Sequence, residues 1–185
     1  VLVGASTRAA AMSARRAGMQ VIAFDLFADR DAAPDTVCAS TFASLDTPLI
    51  GALRQSPGTP WMYVGGLENH PDLIESWAKW ATLWGNRAEV VRAVRDPQRL
   101  SAVLQHEGLR CPHIASQVTD PSASRWLRKP RRSGGGRGIV FWNPGDPLDP
   151  ANEYLQEYMT GRSLSGAWVA DDQTVHLLGV TEQEI

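Results

Sequence analysis

Four glycines and five basic side chains crowd the stretch Trp126 to Ile139, WLRKPRRSGGGRGI. Gly134, Gly135, Gly136 and Gly138 free the backbone to take positive φ and to present bare N–H groups, the equipment a loop needs to lie against phosphate oxygens. Lys129, Arg131, Arg132 and Arg137 surround those amides with positive charge, and Ser133 adds a hydroxyl. One reading is a mobile flap over a polyphosphate. The other is a solvated hairpin loop between two strands, and the segment alone does not separate them. The common phosphate motif GxxxxGK[ST] is absent, because it places its lysine after the glycines and leads from strand to helix. Here Lys129 precedes the glycines, and Ile139-Val140-Phe141-Trp142 reads as a strand.

Two further features favour the phosphate reading. Lys129 sits on a strand, so its ammonium is aimed, and the glycines begin just past Pro130. Tyr154 to Leu164, YLQEYMTGRSL, is an alternating strand that stops at Thr160-Gly161. A strand end with a glycine turn offers unpaired backbone groups beside apolar side chains, which suits a flat ring with polar edges such as adenine. A rival site lies near the start of the chain, where Asp25 ends the second strand about 20 residues after the first turn, the place of a ribose-binding acid in dinucleotide folds. The glycines disagree: after Gly4 there is none until Gly18, so GxGxxG is missing.

These groups need elements to hold them. Val1 to Val3 reads as a strand, Arg8 to Ala17 as an alanine-rich helix closed by Gly18, and Gln20 to Asp25 as a second strand, the opening of a right-handed βαβ unit. Thr36 to Ser40, Pro48 to Arg54 and Pro60 to Val64 continue as strand, helix and strand. Gly65-Gly66-Leu67-Glu68-Asn69-His70 then lies at a carboxyl strand edge, where open α/β sheets bind ligands. Pro71 and Asp72 start a helix with Asn69 or His70 as cap, and Leu73, Trp77, Trp80 and Trp84 follow at helical spacing as a face buried against a sheet. Asn86 and Glu89 form a capping-box pattern, and Asp96-Pro97 opens a helix carrying Leu100, Val103 and Leu104 and closed by Gly108. Beyond Cys111 the pattern changes to strands at residues 125–129, 138–142, 153–159, 163–171 and 174–180, with Asp171-Asp172-Gln173 as a hairpin bend. The fold class is therefore α/β followed by α+β with antiparallel strands.

A chain of 185 residues with 43% hydrophobic and 21% charged content is ordinary for a globular protein with a packed core. A formal charge of −2 gives no general drive toward nucleic acid or an anionic membrane, so the arginine cluster speaks for a local anion. No apolar run is long enough to cross a bilayer or to form a signal-peptide core, which makes the cytoplasm the default location. Cys38 and Cys111 form no CxxC, and His70, His106, His113 and His176 show no metal-ligand spacing. The first strand begins at residue 1 without a preceding Met, so the reading expects sequence upstream.

The KP...SGGGRGI and QEYMTG segments, in this order and preceded by RDPQRLSAVLQHEGLRCP, resemble the ATP-grasp superfamily. The resemblance covers essentially the whole chain, and GGLENHP with the RDP triplet is similar to a poorly characterised branch of its ligases. It implies a Rossmann-like preATP-grasp domain over residues 1–85, linker helices over 86–112 and a C-terminally incomplete ATP-binding subdomain over 113–185. It implies ATP as the nucleotide, with Lys129 on the α and β phosphates and Ser133, Gly134, Gly135, Gly136, Arg137 and Gly138 closing over the β and γ phosphates. Gln156, Glu157, Tyr158 and the Met159 backbone would form the adenine hinge. Ser163 stands where many members carry a ribose-binding acid, and a second basic contact would come from Arg99 or elsewhere, since the usual Asp-Lys is replaced by Asp96-Pro97. The resemblance also implies magnesium, with ligands beyond Ile185 rather than Glu182 or Glu184. The implied activity is a carboxylate-amine or carboxylate-thiol ligation through an acylphosphate, with ATP and a small carboxylate as partners and room for a homo-oligomer; the 185 residues alone are expected to be inactive. A non-catalytic nucleotide-binding module and an NAD-binding Rossmann protein are the alternatives.

Overall fold

The computed structural model describes residues 1–27, 29–33, 35–118, 125–171 and 173–183. Its first half is a small parallel sheet with helices. Strand β1 (Leu2–Gly4), helix α1 (Arg8–Arg16), β2 (Ala23–Asp25), β3 (Val37–Cys38), α2 (Asp46–Gln55) and β4 (Met62–Tyr63) alternate along the chain. The sheet order is β3-β2-β1-β4, and each pairing is parallel, with Leu2 opposite both Ala23 and Met62. Val3, Phe24, Leu45, Leu49, Leu53 and Trp61 fill the core, as expected for strands covered on their faces. Gly4 is required by packing, since a Cβ there would collide with the Val64 side chain.

The strand-loop-helix-strand beginning matches expectation, but Asp25 has a different employment from the one its position suggests. Its carboxylate is fully buried, and one oxygen accepts the Thr7 N–H at 2.6 Å and the Thr7 hydroxyl at 2.8 Å. The other accepts the Phe27 N–H at 2.8 Å. Asp25 thus organises the β1–α1 loop from within and is not presented to a ribose.

After β4 a 3₁₀ turn over Leu67–Asn69 leads into α3 (Pro71–Trp77). The tryptophan face is shorter than its spacing predicts. Trp77 is buried edge-on to Trp61 with ring centroids 6.1 Å apart, and its indole N–H donates to Asp46 at 2.7 Å. Trp80 and Trp84 are 42% and 57% exposed. The helix has ended before them, and the following chain turns back so that Leu83 runs parallel beside Trp61. The Arg54 guanidinium covers Trp80 from 3.9 Å. The Asn86 capping box is likewise replaced. Helix α4 (Ala88–Arg95) has no side-chain cap, and the Asn86 carbonyl accepts the Tyr63 hydroxyl at 2.9 Å.

Asp96 is the N-cap of α5 (Pro97–His106), accepting the Gln98 and Arg99 N–H groups at 3.0 and 3.1 Å. Gly108, at φ 69°, takes the left-handed conformation that turns the chain away. Then come β5 (Ile114–Ala115), β6 (Trp126–Pro130), β7 (Val140–Trp142) and β8 (Glu153–Glu157), antiparallel in the order β5-β8-β6-β7. The antiparallel strands do not form one sheet. Among the described residues β9 (Leu164–Ala170) and β10 (Val175–Glu182) pair only with each other, as a hairpin with a register shift between Leu177 and Gly179. At its bend the Asp171 carboxylate accepts the Gln173 and Thr174 N–H groups at 2.8 and 2.7 Å; Asp172 and Glu184 lie outside the described residues. Among the described residues no helix is long and apolar enough to cross a membrane.

Candidate functional site

Alternation on β6 and β8 decides which side chains meet. In their antiparallel register Lys129 faces Tyr154 and Leu127 faces Gln156, so these four residues share one face of the sheet. Trp126 and Leu155 belong to the opposite, buried face. Lys129 and Gln156 are diagonal neighbours, and the Lys129 ammonium donates to Gln156 Oε1 at 3.0 Å. It also stands 5.9 Å from the Tyr154 ring centroid, at the outer reach of a cation–π contact. Among the described residues no carboxylate pairs with Lys129. Its pKa lies below the ordinary lysine value because burial removes water from the charged form.

That face forms one wall of a cleft of about 430 Å³, within the range of small-molecule sites. Pro97, Leu100, Ser101 and Leu104 from α5 line it as well, with Pro112 and Ile114. Arg95, Arg131 and the run Ser133 to Gly136 add a polar part, in which Arg95 donates to the Arg131 and Ser133 carbonyls. The lining can therefore take both a flat apolar group and a cluster of anionic oxygens.

The glycine loop is a tight double turn. Arg137 N–H donates to the Gly134 carbonyl and Ile139 N–H to the Gly136 carbonyl, both at 3.2 Å, and the Ser133 hydroxyl donates to the Arg137 carbonyl. Gly135, Gly136 and Gly138 have φ of 61°, 75° and 79°, and a Cβ on Gly138 would press Pro130 Cγ at 3.2 Å. Among the described residues the N–H groups of Gly134, Gly135, Gly136 and Gly138 have no hydrogen-bond partner. Such donors suit an anion.

The structure brings Lys129, Ser133, Gly134, Gly135, Gly136 and Gln156 onto the cleft. Arg137 and Gly138 belong to the same loop but do not line it. Glu157 follows Gln156 on the strand, so alternation turns it to the other face, where its carboxylate accepts the His113 N–H at 3.2 Å. The Glu157 and Tyr158 N–H groups bond the His113 and Arg125 carbonyls at 2.9 and 2.8 Å. The Tyr158 ring lies edge-on to Phe141, with centroids 5.1 Å apart. The Met159 N–H has no partner among the described residues. Ser163 is held on the β9–β10 hairpin, its hydroxyl donating to Gln183 at 2.7 Å, and it does not line the cleft.

Sequence reasoning missed Arg95. This last residue of α4 lines the cleft, and its Nη2 donates to the Asn69 side-chain oxygen at 2.6 Å and to the Ser133 carbonyl at 2.9 Å. Arg99, considered for a second basic contact, does not line the cleft. The one available signal was the place of Arg95 in the triplet Arg95-Asp96-Pro97, just ahead of a helix cap. Among the described residues no group of three or more His, Cys, Asp or Glu side chains could hold a metal ion.

A family model described as an ATP-grasp domain matches residues 94–185. Solved structures with the same fold include N5-carboxyaminoimidazole synthetase from Staphylococcus aureus complexed with ADP, at 16% identity and a TM-score of 0.70, covering 100% of this chain and 54% of that one. L-amino acid ligase from Bacillus licheniformis aligns at 15% identity and a TM-score of 0.66, covering 98% of this chain and 49% of that one. N5-carboxyaminoimidazole ribonucleotide synthetase from Thermus thermophilus aligns at 15% identity and a TM-score of 0.71, covering 100% and 54%. The chain thus spans about half the length of these proteins. No curated protein matches it by sequence.

Proposed function

Because the chain belongs to the ATP-grasp superfamily through its residues 94–185, we propose that the cleft between α5 and the β5-β8-β6-β7 sheet binds ATP, as the nucleotide half of a ligase joining a carboxylate to an amine or thiol. The observation that carries this reading is the presence of two phosphate partners on one cleft. Lys129 is half-buried and donates to the neutral Gln156 Oε1, and among the described residues it has no carboxylate partner and the amides of Gly134, Gly135 and Gly136 have no partner. The triphosphate lies beside these groups, the adenine against Leu100, Leu104, Pro112 and Ile114, with the Met159 backbone as its edge contact. In this arrangement Lys129 neutralises charge on the α and β phosphates while the glycine loop covers the β and γ phosphates and excludes water. Catalysis then rests on positioning and charge rather than on a protein nucleophile.

ATP supplies the phosphoryl group that activates a small carboxylate as an acylphosphate. The parallel order β3-β2-β1-β4 supports reading residues 1–85 as a Rossmann-like preATP-grasp unit, with 86–112 as linker and 113–185 as nucleotide lobe. The buried, fully engaged Asp25 carboxylate speaks against a dinucleotide on that sheet. The test is a thermal-shift comparison of ATP with NAD, followed by calorimetric titration of ATP. Stabilisation by ATP alone supports the reading, and stabilisation by NAD alone overturns it.

A further inference from the structure

Resting on that reading of the cleft, we propose that Arg95 is a positioning residue, which ties the root of the glycine loop to the carboxyl edge of the parallel sheet and so couples the two halves of the chain. A guanidinium carries five N–H donors in a rigid plane and can hold several acceptors in one geometry. The three that Arg95 reaches come from two distant segments. The Asn69 side-chain oxygen is 2.6 Å away, the Ser133 carbonyl 2.9 Å and the Arg131 carbonyl 3.5 Å.

Each partner of Arg95 is itself fixed. Its backbone is the junction of α4 with the Asp96 cap of α5, and one turn earlier Arg92 reaches Asp72 and Glu75 of α3, both at 2.6 Å. Asn69 ends the 3₁₀ turn whose Glu68 carboxylate accepts the Gly66 N–H at 2.7 Å, and the next residue, His70, packs edge-on to Phe42 at 5.1 Å. On the loop side, Arg131 N–H donates to the Asn152 carbonyl at 2.8 Å. The loop is therefore clamped through Ser133, and the freedom to close over a ligand is confined to Gly134 to Gly138. Any rearrangement of residues 65–70 reaches the loop directly through Asn69 and Arg95.

Hydrogen exchange of the peptide spanning residues 131–139, measured without nucleotide, tests this in Asn69→Ala and Arg95→Gln variants of the same chain. Both are expected to exchange about five- to tenfold faster in that peptide than the parent, the ratio that one lost hydrogen bond allows. The exchange of the β1–β4 sheet is expected to stay unchanged, and the double variant to add little to either single one. Unaltered loop exchange in Asn69→Ala overturns the proposal, as does acceleration spread equally over α3, α4 and the β1–β4 sheet, which marks a merely structural role. The assay contains no ATP. Failure of the parent chain to bind ATP in calorimetry would therefore sink the nucleotide reading while leaving this coupling to be decided by exchange.

Discussion

Replacing Lys129 by methionine removes the ammonium while keeping an apolar stem on β6. A unit charge about 4 Å from a phosphate oxygen gains on the order of 4 kcal/mol at an effective dielectric near 20, and about 1 kcal/mol in bulk water. Lys129 is half-buried, so its share falls between these limits, at about 1.5 to 3 kcal/mol, or about ten- to a hundredfold in affinity. The hydrogen-bond partner left behind is Gln156 Oε1, a neutral acceptor on an open cleft that water can satisfy. The fold is expected to be unaffected, with an unchanged urea midpoint. Calorimetric titration of ATP into both proteins reads the difference, and unaltered affinity in Lys129→Met would refute the assignment of this side chain to the phosphates.

The same side chain makes a prediction in pH. Burial lowers its pKa in the folded chain, so the unfolded chain binds more protons between that lowered value and the ordinary lysine value of about 10.4. Across that window stability rises with pH, as the cost of keeping a partly buried ammonium is relieved. A triphosphate acts in the opposite sense by favouring the charged form. ATP binding in the window is therefore expected to take up a proton and to weaken as pH rises, which titrations in buffers of different ionisation enthalpy detect. Lys129→Met is expected to show no uptake, and an equal uptake in parent and variant would place the titrating group elsewhere.

Three other perturbations separate site from scaffold. Gly138→Val puts a β-branched residue at φ 79° with its Cβ against Pro130, and is expected to lower ATP affinity about tenfold or more while circular dichroism stays unchanged. Asp25→Ala removes the acceptor of the Thr7 and Phe27 groups and is expected to destabilise the chain by about 3 kcal/mol in urea denaturation, with ATP affinity retained. Trp77→Ala is expected to cost about 3 to 5 kcal/mol in the same assay and Trp84→Ala less than about 1, because only the first indole is enclosed.

Period-two alternation made the heart of the cleft readable in advance. A strand that carries Lys129 and a strand that carries Gln156 need only the right register to place both on one face, and the pairing of Leu127 with Gln156 supplies it. The same rule, applied strictly, would have turned Glu157 away from Gln156, since neighbours on a strand cannot share a face. Helical spacing failed at Trp80 and Trp84 for a different reason. Spacing reports which residues would align if a helix persisted, and nothing local in Ala78-Lys79 announces that Leu83 will dock beside Trp61. Arg95 was the least legible residue because its partners lie 26, 36 and 38 positions away. No local pattern encodes a contact of that separation, only the packing of α4 between the turn that ends at Asn69 and the strand that ends at Pro130. The ambiguity between a phosphate flap and a solvated hairpin loop has the same root. Its glycines and arginines would look alike in either case, and the difference lies in what the preceding lysine faces. An ammonium turned to open water would make the loop an ordinary connection; one half-buried with Gln156 and Tyr154 on a cleft, beside three glycine amides that have no partner among the described residues, makes it half of a site.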